Sequence, residues 1–376
     1  MNIAFISTMS GFTPNVPRWA GCEELWGAAA LRLAQRDEMT VGVNVFRWPE
    51  EVPQIEALKR AGCLVKARKT LPGLARLGRH LPGRLHSRWL NRFAPELTVI
   101  TQHQFHTEPE WAERCRRSRL PYVLVIQSVD EAVALGEAER RTLAANYEQA
   151  RRCYFVAERN RAVVERVLGL RLAKAAIVRN PFKAPHHDPS PYPAPEGGLA
   201  LACVARLDHA KGHDLLLEVL AQGKWRSRPL RVDCFGNGSL AESLLAQARA
   251  LELGSVRFRG FISDVRAIWA EHHALVLASR AEGLPLAIVE AMLCERPCIA
   301  TDVGGIAELV TDGVTGFIAP KPSVADLDAA LERAWARRAD LQAMGRAAGE
   351  HAREMIPADP GADFARELLS LLHAAD

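Results

Sequence analysis

No run of 18 or more apolar residues occurs in this chain of 376, so no membrane-crossing helix is expected. The opening MNIAFISTMSG lacks the basic stretch and long apolar centre of a secretory leader and reads as a first strand. No Cys-x-x-Cys pair is present. The eight cysteines (22, 63, 115, 153, 203, 234, 294 and 298) are scattered, mostly inside apolar runs, which predicts reduced core residues of a cytoplasmic protein. Charge of one sign is nearly lacking in excess: 48 basic against 44 acidic residues leave +4, so the chain as a whole is not built for polyanions. No nucleic-acid motif accompanies its basic residues, so no nucleic-acid partner is expected. Short repeats and low-complexity segments are absent as well.

What is present is a globular composition, 48% hydrophobic and 24% charged, in a chain long enough for two or three domains. Apolar strand-like runs alternate with amphipathic helical ones. In the first half the strands are IAFIST (3–8), VGVNVF (41–46), LTVIT (97–101), YVLVIQ (122–127) and CYFVAE (153–158), and EELWGAAALRLAQR (23–36) is the clearest helix. The segment 180–198 holds six prolines and no apolar period, which is linker composition. The alternation then restarts with LALACVARL (199–207), LRVDCFG (230–236), VRFRG (256–260), ALVLAS (274–279), PCIAT (297–301) and GFIAP (316–320). This predicts an α/β protein of two doubly wound, Rossmann-like domains with parallel sheets and a cleft between them. The expected domains are 1–185 and 199–357, joined by a linker over 186–198. An amphipathic helix at about 358–376 is expected to pack back on the first domain.

In such sheets ligands bind beyond the carboxyl ends of the strands, where helix N-termini point. A nicotinamide-type Gly-x-Gly-x-x-Gly is lacking after the first strand, which argues against a dehydrogenase. Gly21 opens the first long helix and suits a phosphate, or serves only as a turn. Arg206 and Lys211 leave one strand and enter the next helix. A planar fork and a point charge suit a diphosphate, though two solvated cations read equally well. Gly236, in Gly-Asn-Gly, and Gly304-Gly305 lie at further strand ends, before helices.

The stretch AEGLPLAIVEAM (281–292) sets two carboxylates, Glu282 and Glu290, about a run of apolar residues. Pro285 suits the first turn of a helix that stops before Pro297. Glu282 then sits in the loop at the helix mouth and Glu290 inside the helix, with the backbone of Gly283, Leu284, Pro285 and Leu286 between them. Carboxylates accept hydrogen bonds from hydroxyls, and amides and cations hold a diphosphate. A sugar nucleotide has that order of groups; the plainer alternative is a surface Glu and a helix-face Glu.

Taken together, A-G-C-E (20–23), R-L-D-H-A-K-G (206–212), F-G-N-G (235–238), V-R-F-R-G-F (256–261), S-R-A-E-G-L-P-L-A-I-V-E-A-M (279–292) and D-V-G-G-I-A-E-L-V-x-D-G-x-T-G (302–316) resemble the retaining glycosyltransferases of the GT-B fold, family 4. The resemblance is strong from about 199 to 320 and looser over 1–180. It implies transfer of a sugar from a nucleotide-diphosphate sugar to a polysaccharide, glycolipid or lipid-linked glycan, with anomeric retention. It implies that Arg206 and Lys211 bind the donor diphosphate, Glu282 and Gly283 the transferred sugar, Glu290 the ribose, and that Gly21 meets the phosphates from the first domain. It also implies no cofactor and no metal; the only Asp-x-Asp, Asp326-Leu327-Asp328, reads as acids in a helix's first turn.

Two departures from the family pattern stand out. Ala20-Gly21 replaces a common Gly-Gly. Gln127 stands where many members have His, so no side-chain base can be carried over. Gln127, His103, His106 and Asn180 are candidates for contact with sugar or acceptor; for the two histidines the plainer alternative is a solvated loop His. Two other readings follow from the same residues: another GT-B enzyme, such as a sugar-nucleotide epimerase or hydrolase, or a non-catalytic sugar-nucleotide-binding protein.

From Lys59 to Arg92 there are ten Lys or Arg and no Asp or Glu. The mixture with Leu, Trp89 and Phe93 predicts either peripheral contact of about 59–93 with an anionic membrane surface or a solvated basic loop and helix.

Overall fold

The structure, a computed structural model, describes residues 1–9, 19–47, 52–68, 82–131, 133–194 and 198–374, without the side chains of 82–87. Among the described residues, one compact unit holds 1–181 and 359–374, and a second holds 182–358.

The first unit contains β1 (Asn2–Ser7), β2 (Thr40–Phe46), β3 (Leu64–Arg68), β4 (Leu97–Gln102), β5 (Tyr122–Ile126), β6 (Arg152–Phe155) and β7 (Ala175–Ile177). They form one sheet in the order β3-β2-β1-β4-β5-β6-β7, with every ladder parallel. β1 shows why the sheet is covered on both sides. Ile3 and Phe5 enter one apolar cluster and Ala4 and Ile6 another, as period-two alternation between two helix layers requires. β3 and β7 escape the sequence pattern because they are short edge strands; β3 is mostly exposed and β7 has three residues.

The second unit contains β8 (Leu199–Val204), β9 (Leu230–Phe235), β10 (Val256–Gly260), β11 (Ala274–Leu277), β12 (Cys298–Thr301) and β13 (Gly316–Ala319), in the order β10-β9-β8-β11-β12-β13, again all parallel. In each sheet the order reverses once, between β1 and β4 in the first and between β8 and β11 in the second. Loops diverge at such a point and leave room for a ligand.

The last helix, Pro360–His373, belongs to the first unit. Asp359 caps it by accepting the Ala362 amide at 3.0 Å. Phe364, Ala365, Leu368 and Leu372 are buried in the same cluster as β1, each large side chain contributing about 1.5–3 kcal/mol. Gly361 lets the helix close on the helix Gly21–Ala34: a Cβ there would lie 2.6 Å from that of Ala28.

The proline-rich segment differs from a free linker. The division falls between 181 and 182, and the segment after it is strapped to the second unit. The fully buried Arg296 donates to the carbonyls of Ser190 (3.4 Å) and Pro191, and its guanidinium lies 4.9 Å from the Tyr192 ring. Prolines keep their carbonyls while losing N–H donors, and one guanidinium with five donors meets that surplus.

Candidate active site

In the second unit the predicted residues gather at the carboxyl ends of β8, β9, β11 and β12. Lys211 follows β8 and Glu282 follows β11, the two strands flanking the reversal. Their side chains meet: Lys211 Nζ donates to Glu282 Oε2 at 2.7 Å. Glu282 Oε1 accepts from Ser279 Oγ at 2.7 Å, and the Ser279 carbonyl accepts from Thr301 Oγ1 at 2.6 Å. Glu282 is nearly buried, so this set of partners stands in for lost water. Ser279 and Thr301 carry no signal in the sequence alone, being polar residues at the ends of apolar runs.

The two loops are also joined through backbone and charge. The Arg280 amide donates to Ala210 O at 2.7 Å. The Arg280 guanidinium forks onto Asp214 at 2.7 and 2.6 Å and reaches His209 O at 2.9 Å. That hydrogen-bonded fork holds the Asp214 carboxyl below its ordinary range. Arg280 and Asp214 are 66 positions apart, so no local pattern announces them. Gly212 shows how close the loops come. It has φ of 64°, and a Cβ there would sit 1.9 Å from Ala278 O.

Arg206 is partly exposed and paired with Asp208 at 3.0 Å. Gly236 closes β9, its amide donating to Gly260 O at 2.8 Å, and the neighbouring loops are tied by Leu207 N to Asn237 O at 3.0 Å. Pro285 takes the position just before the helix Leu286–Leu293 rather than its first turn. It has no amide hydrogen, so the amides available in this turn are those of Gly283, Leu284 and Leu286. Glu290 is buried one turn into the helix, and its Oε1 accepts from the Lys183 amide at 3.0 Å. Gly305 N donates to Gly283 O at 2.7 Å, setting Gly304-Gly305 against the Glu282 loop. Asp326 and Asp328 do not converge. Asp326 joins Ser323 at the start of the helix Val324–Ala336, and Asp328 takes Lys224 at 2.6 Å and Trp225 Nε1 at 2.7 Å.

In the first unit, Gly21 begins the helix that follows β1, and His103 and His106 lie just beyond β4, across the reversal in that sheet. The His103 amide donates to Thr8 Oγ1 at 3.4 Å, and the His106 ring stands edge-on to Phe105 at 5.1 Å. Gln127 and Asn180 are buried and exchange carboxamide hydrogen bonds at 3.2 and 2.7 Å, which commits half of each group's capacity. The same unit holds a buried polar network that no sequence motif signals. Glu23 accepts from Ser7 Oγ at 2.8 Å and from Trp26 Nε1. Arg68 donates to Ser7 O at 2.7 Å, Asn44 Oδ1 at 3.0 Å and Glu108 at 3.2 Å. Burial pushes the Glu23 carboxyl up to about 7. Arg68, one of the ten cations between 59 and 92, is therefore internal. The stretch 69–81 and the side chains of 82–87, where much of the predicted membrane-facing region falls, lie outside the described residues. Among the described residues no helix is long and apolar enough to cross a membrane.

Residues 187–351 match the family model for glycosyl transferases group 1, and the second unit carries a domain of that family. The D-inositol 3-phosphate glycosyltransferase of Kribbella flavida is 33% identical over 169 residues, covering 42% of this chain and 40% of that relative. The match thus spans about two fifths of the relative's length. Two solved structures are similar over nearly the whole chain. The Anabaena protein Alr3699/HepE, in complex with UDP, has a TM-score of 0.74 at 18% identity, covering 98% of this chain and 100% of its own. Sucrose-phosphate synthase from Thermosynechococcus elongatus has a TM-score of 0.76 at 18% identity, covering 100% of both chains. The two parallel-sheet, Rossmann-like units are those of the GT-B fold.

Proposed function

We propose that this protein is a glycosyltransferase that moves a sugar from a nucleoside-diphosphate sugar to a hydroxyl acceptor with retention of anomeric configuration. The observation that carries the reading is the Lys211–Glu282 pair at the reversal of the second sheet, inside the segment that matches the group 1 family. An ammonium has three donors, and Glu282 takes one; the others remain for phosphate oxygens. Glu282 keeps free lone pairs for a sugar hydroxyl. Arg206 adds a second cation, and the amides of Gly283, Leu284 and Leu286 add donors that need not reorganise as charge develops. Glu290 is assigned to the ribose hydroxyls.

In the proposed step the bond from the anomeric carbon to phosphate oxygen breaks, and the pair of electrons leaves with the nucleoside diphosphate. The acceptor oxygen bonds to the same face, and its proton passes to the departing phosphate oxygen. No side-chain base is required, which accords with Gln127 being a carboxamide. Arg206 and Lys211 stabilise the leaving group, a task a metal ion performs in other transferases.

The test is nucleotide release from UDP-, GDP- and ADP-sugars, with and without glycan and lipid-linked acceptors. A UDP-sugar is the first donor to try, since Alr3699/HepE is described with UDP. Acceptor-dependent release supports the transferase. Release without acceptor supports a hydrolase, and binding without release a non-catalytic protein.

A further inference from the structure

Beneath the loops that carry Arg206, Lys211 and Gly236 lies a group of side chains that plays no part in the proposed transfer. Cys203, His213 and Cys234 are 1, 2 and 1% exposed. One donor atom from each, two sulfurs and an imidazole nitrogen, lies within 4.8 Å of the others. Cys203 on β8 and Cys234 on β9 are register partners in adjacent parallel strands, and so share a face. His213 opens the helix His213–Leu220 and turns Nε2 to 3.5 Å from Cys203 Sγ.

We propose that these three residues bind a zinc-type divalent cation. The Cys203–His213 spacing of 3.5 Å fits: with metal–sulfur and metal–nitrogen bonds of about 2.3 and 2.0–2.1 Å, ligands at a tetrahedral angle stand about 3.5 Å apart. The charge fits as well. Two thiolates, a neutral imidazole and a divalent ion sum to zero, whereas a monovalent ion leaves a net negative charge buried without compensation. Zinc has no geometric preference from its d-electrons and favours sulfur and imidazole donors.

The surroundings of the ring give a second line of support. A metal on Nε2 fixes the ring proton on Nδ1, and Nδ1 is buried without a hydrogen-bond partner. Asp208 Oδ1, five residues earlier on the loop after β8, is likewise buried and unpaired. A carboxylate that accepts from the free nitrogen of a ligating imidazole orients the ring and raises its basicity. Asp208 also holds Arg206, so the ion would tie the roots of the β8 and β9 loops to the cations above them.

The experiment uses the whole chain, purified without a histidine tag and kept reduced. After dialysis, metal content is measured by plasma mass spectrometry, and cobalt(II) is titrated while thiolate-to-cobalt charge-transfer absorption is followed. Expected are about one zinc per chain, a thermal midpoint that rises with added zinc and falls with chelator, and a cobalt spectrum showing sulfur ligation. Cys203→Ala, Cys234→Ala and His213→Gln should each lose the ion. Cys298→Ala, a buried cysteine elsewhere in the same unit, should keep it. A folded wild-type protein that takes up neither zinc nor cobalt overturns the proposal. So does zinc retained undiminished in Cys203→Ala, which would place it elsewhere, as on the adjacent His186 and His187, whose ring nitrogens lie 3.1 Å apart. These readouts need no turnover, so they stand whether or not transfer is observed.

Discussion

Lys211 Nζ lies 2.7 Å from Glu282 Oε2 and joins the loop after β8 to the loop after β11, where the second sheet reverses its order. The pair has two roles that mutation can separate. Glu282 is nearly buried, so truncating its partner leaves a carboxylate with Ser279 as its remaining hydrogen-bonded side chain. A fully buried pair broken this way costs about 3–5 kcal/mol; Lys211 is partly exposed, so Lys211→Ala should cost roughly 1–3. The double variant Lys211→Met with Glu282→Gln removes both charges and should recover most of that stability in urea unfolding. Nucleotide release should fall about 100-fold or more in both, the usual effect of losing a preorganised donor. Turnover unchanged in Lys211→Ala would remove the diphosphate role assigned to it.

Gly304 supports Glu282 from β12. Its φ is 55°, and a Cβ would lie 2.3 Å from Glu282 O and 2.7 Å from Gly283 O. Gly304→Ala therefore adds a backbone clash to left-handed strain of about 1 kcal/mol and should displace the Glu282 loop. Gly313→Ala is the control, with φ of 74° and no atom within 4 Å of the added carbon. The thermal midpoint should fall in both, and further in Gly304→Ala. Weaker protection by a nucleotide sugar should appear in Gly304→Ala alone. Equal donor protection in the two variants would show that the contact does not position Glu282.

Much of this arrangement is legible in the residues because its signals are local. Strands such as VRFRG and LALACV are short apolar or alternating runs, and the site glycines lie where a strand hands over to a helix. Glu282 reads as unusual because Gly and Pro stand beside it. The clamp of Arg280 on Asp214 does not read, since it depends on the loop after β11 meeting the helix His213–Leu220 across sheet order. Arg296 is hidden for a related reason. It looks like one more cation, yet burial turns it into the donor that gathers a proline-rich segment. Cys203 and Cys234 read as separate core cysteines until the β8–β9 register sets them side by side.

Removing Arg296 tests how the segment after Pro181 is held. Besides Ser190 and Pro191, the guanidinium meets Trp269 O at 2.9 Å, His272 O at 2.8 Å and Cys294 O at 2.6 Å. Arg296→Met fills much of the space and leaves these carbonyls without donors, each unmet group costing about 1–3 kcal/mol. Stability should drop by several kcal/mol in urea. Limited proteolysis should cut between 182 and 198 earlier than anywhere in the wild type. An unchanged cleavage pattern would mean that other contacts hold the strap.

The Glu23 network makes stability depend on pH in a direction opposite to ordinary surface carboxylates. Burial raises the Glu23 carboxyl from 4.5 to about 7, against the pull of Ser7, Trp26 and Arg68. Between those values the folded chain still holds a proton that the unfolded chain has released. The contribution is complete below about 4.5 and is lost as pH rises through about 7. A separation of this size corresponds to roughly 3 kcal/mol. Glu23→Gln keeps an acceptor for Trp26 Nε1 and can donate to the Ser7 hydroxyl, as a protonated Glu does, but cannot ionise. It should match the wild type within about 1 kcal/mol at pH 5 and exceed it by roughly 2–3 kcal/mol at pH 8. Urea midpoints of the two proteins at those pH values decide it. A constant gap between them would mean that Glu23 is already ionised throughout, its charge carried by Arg68 rather than removed by a proton.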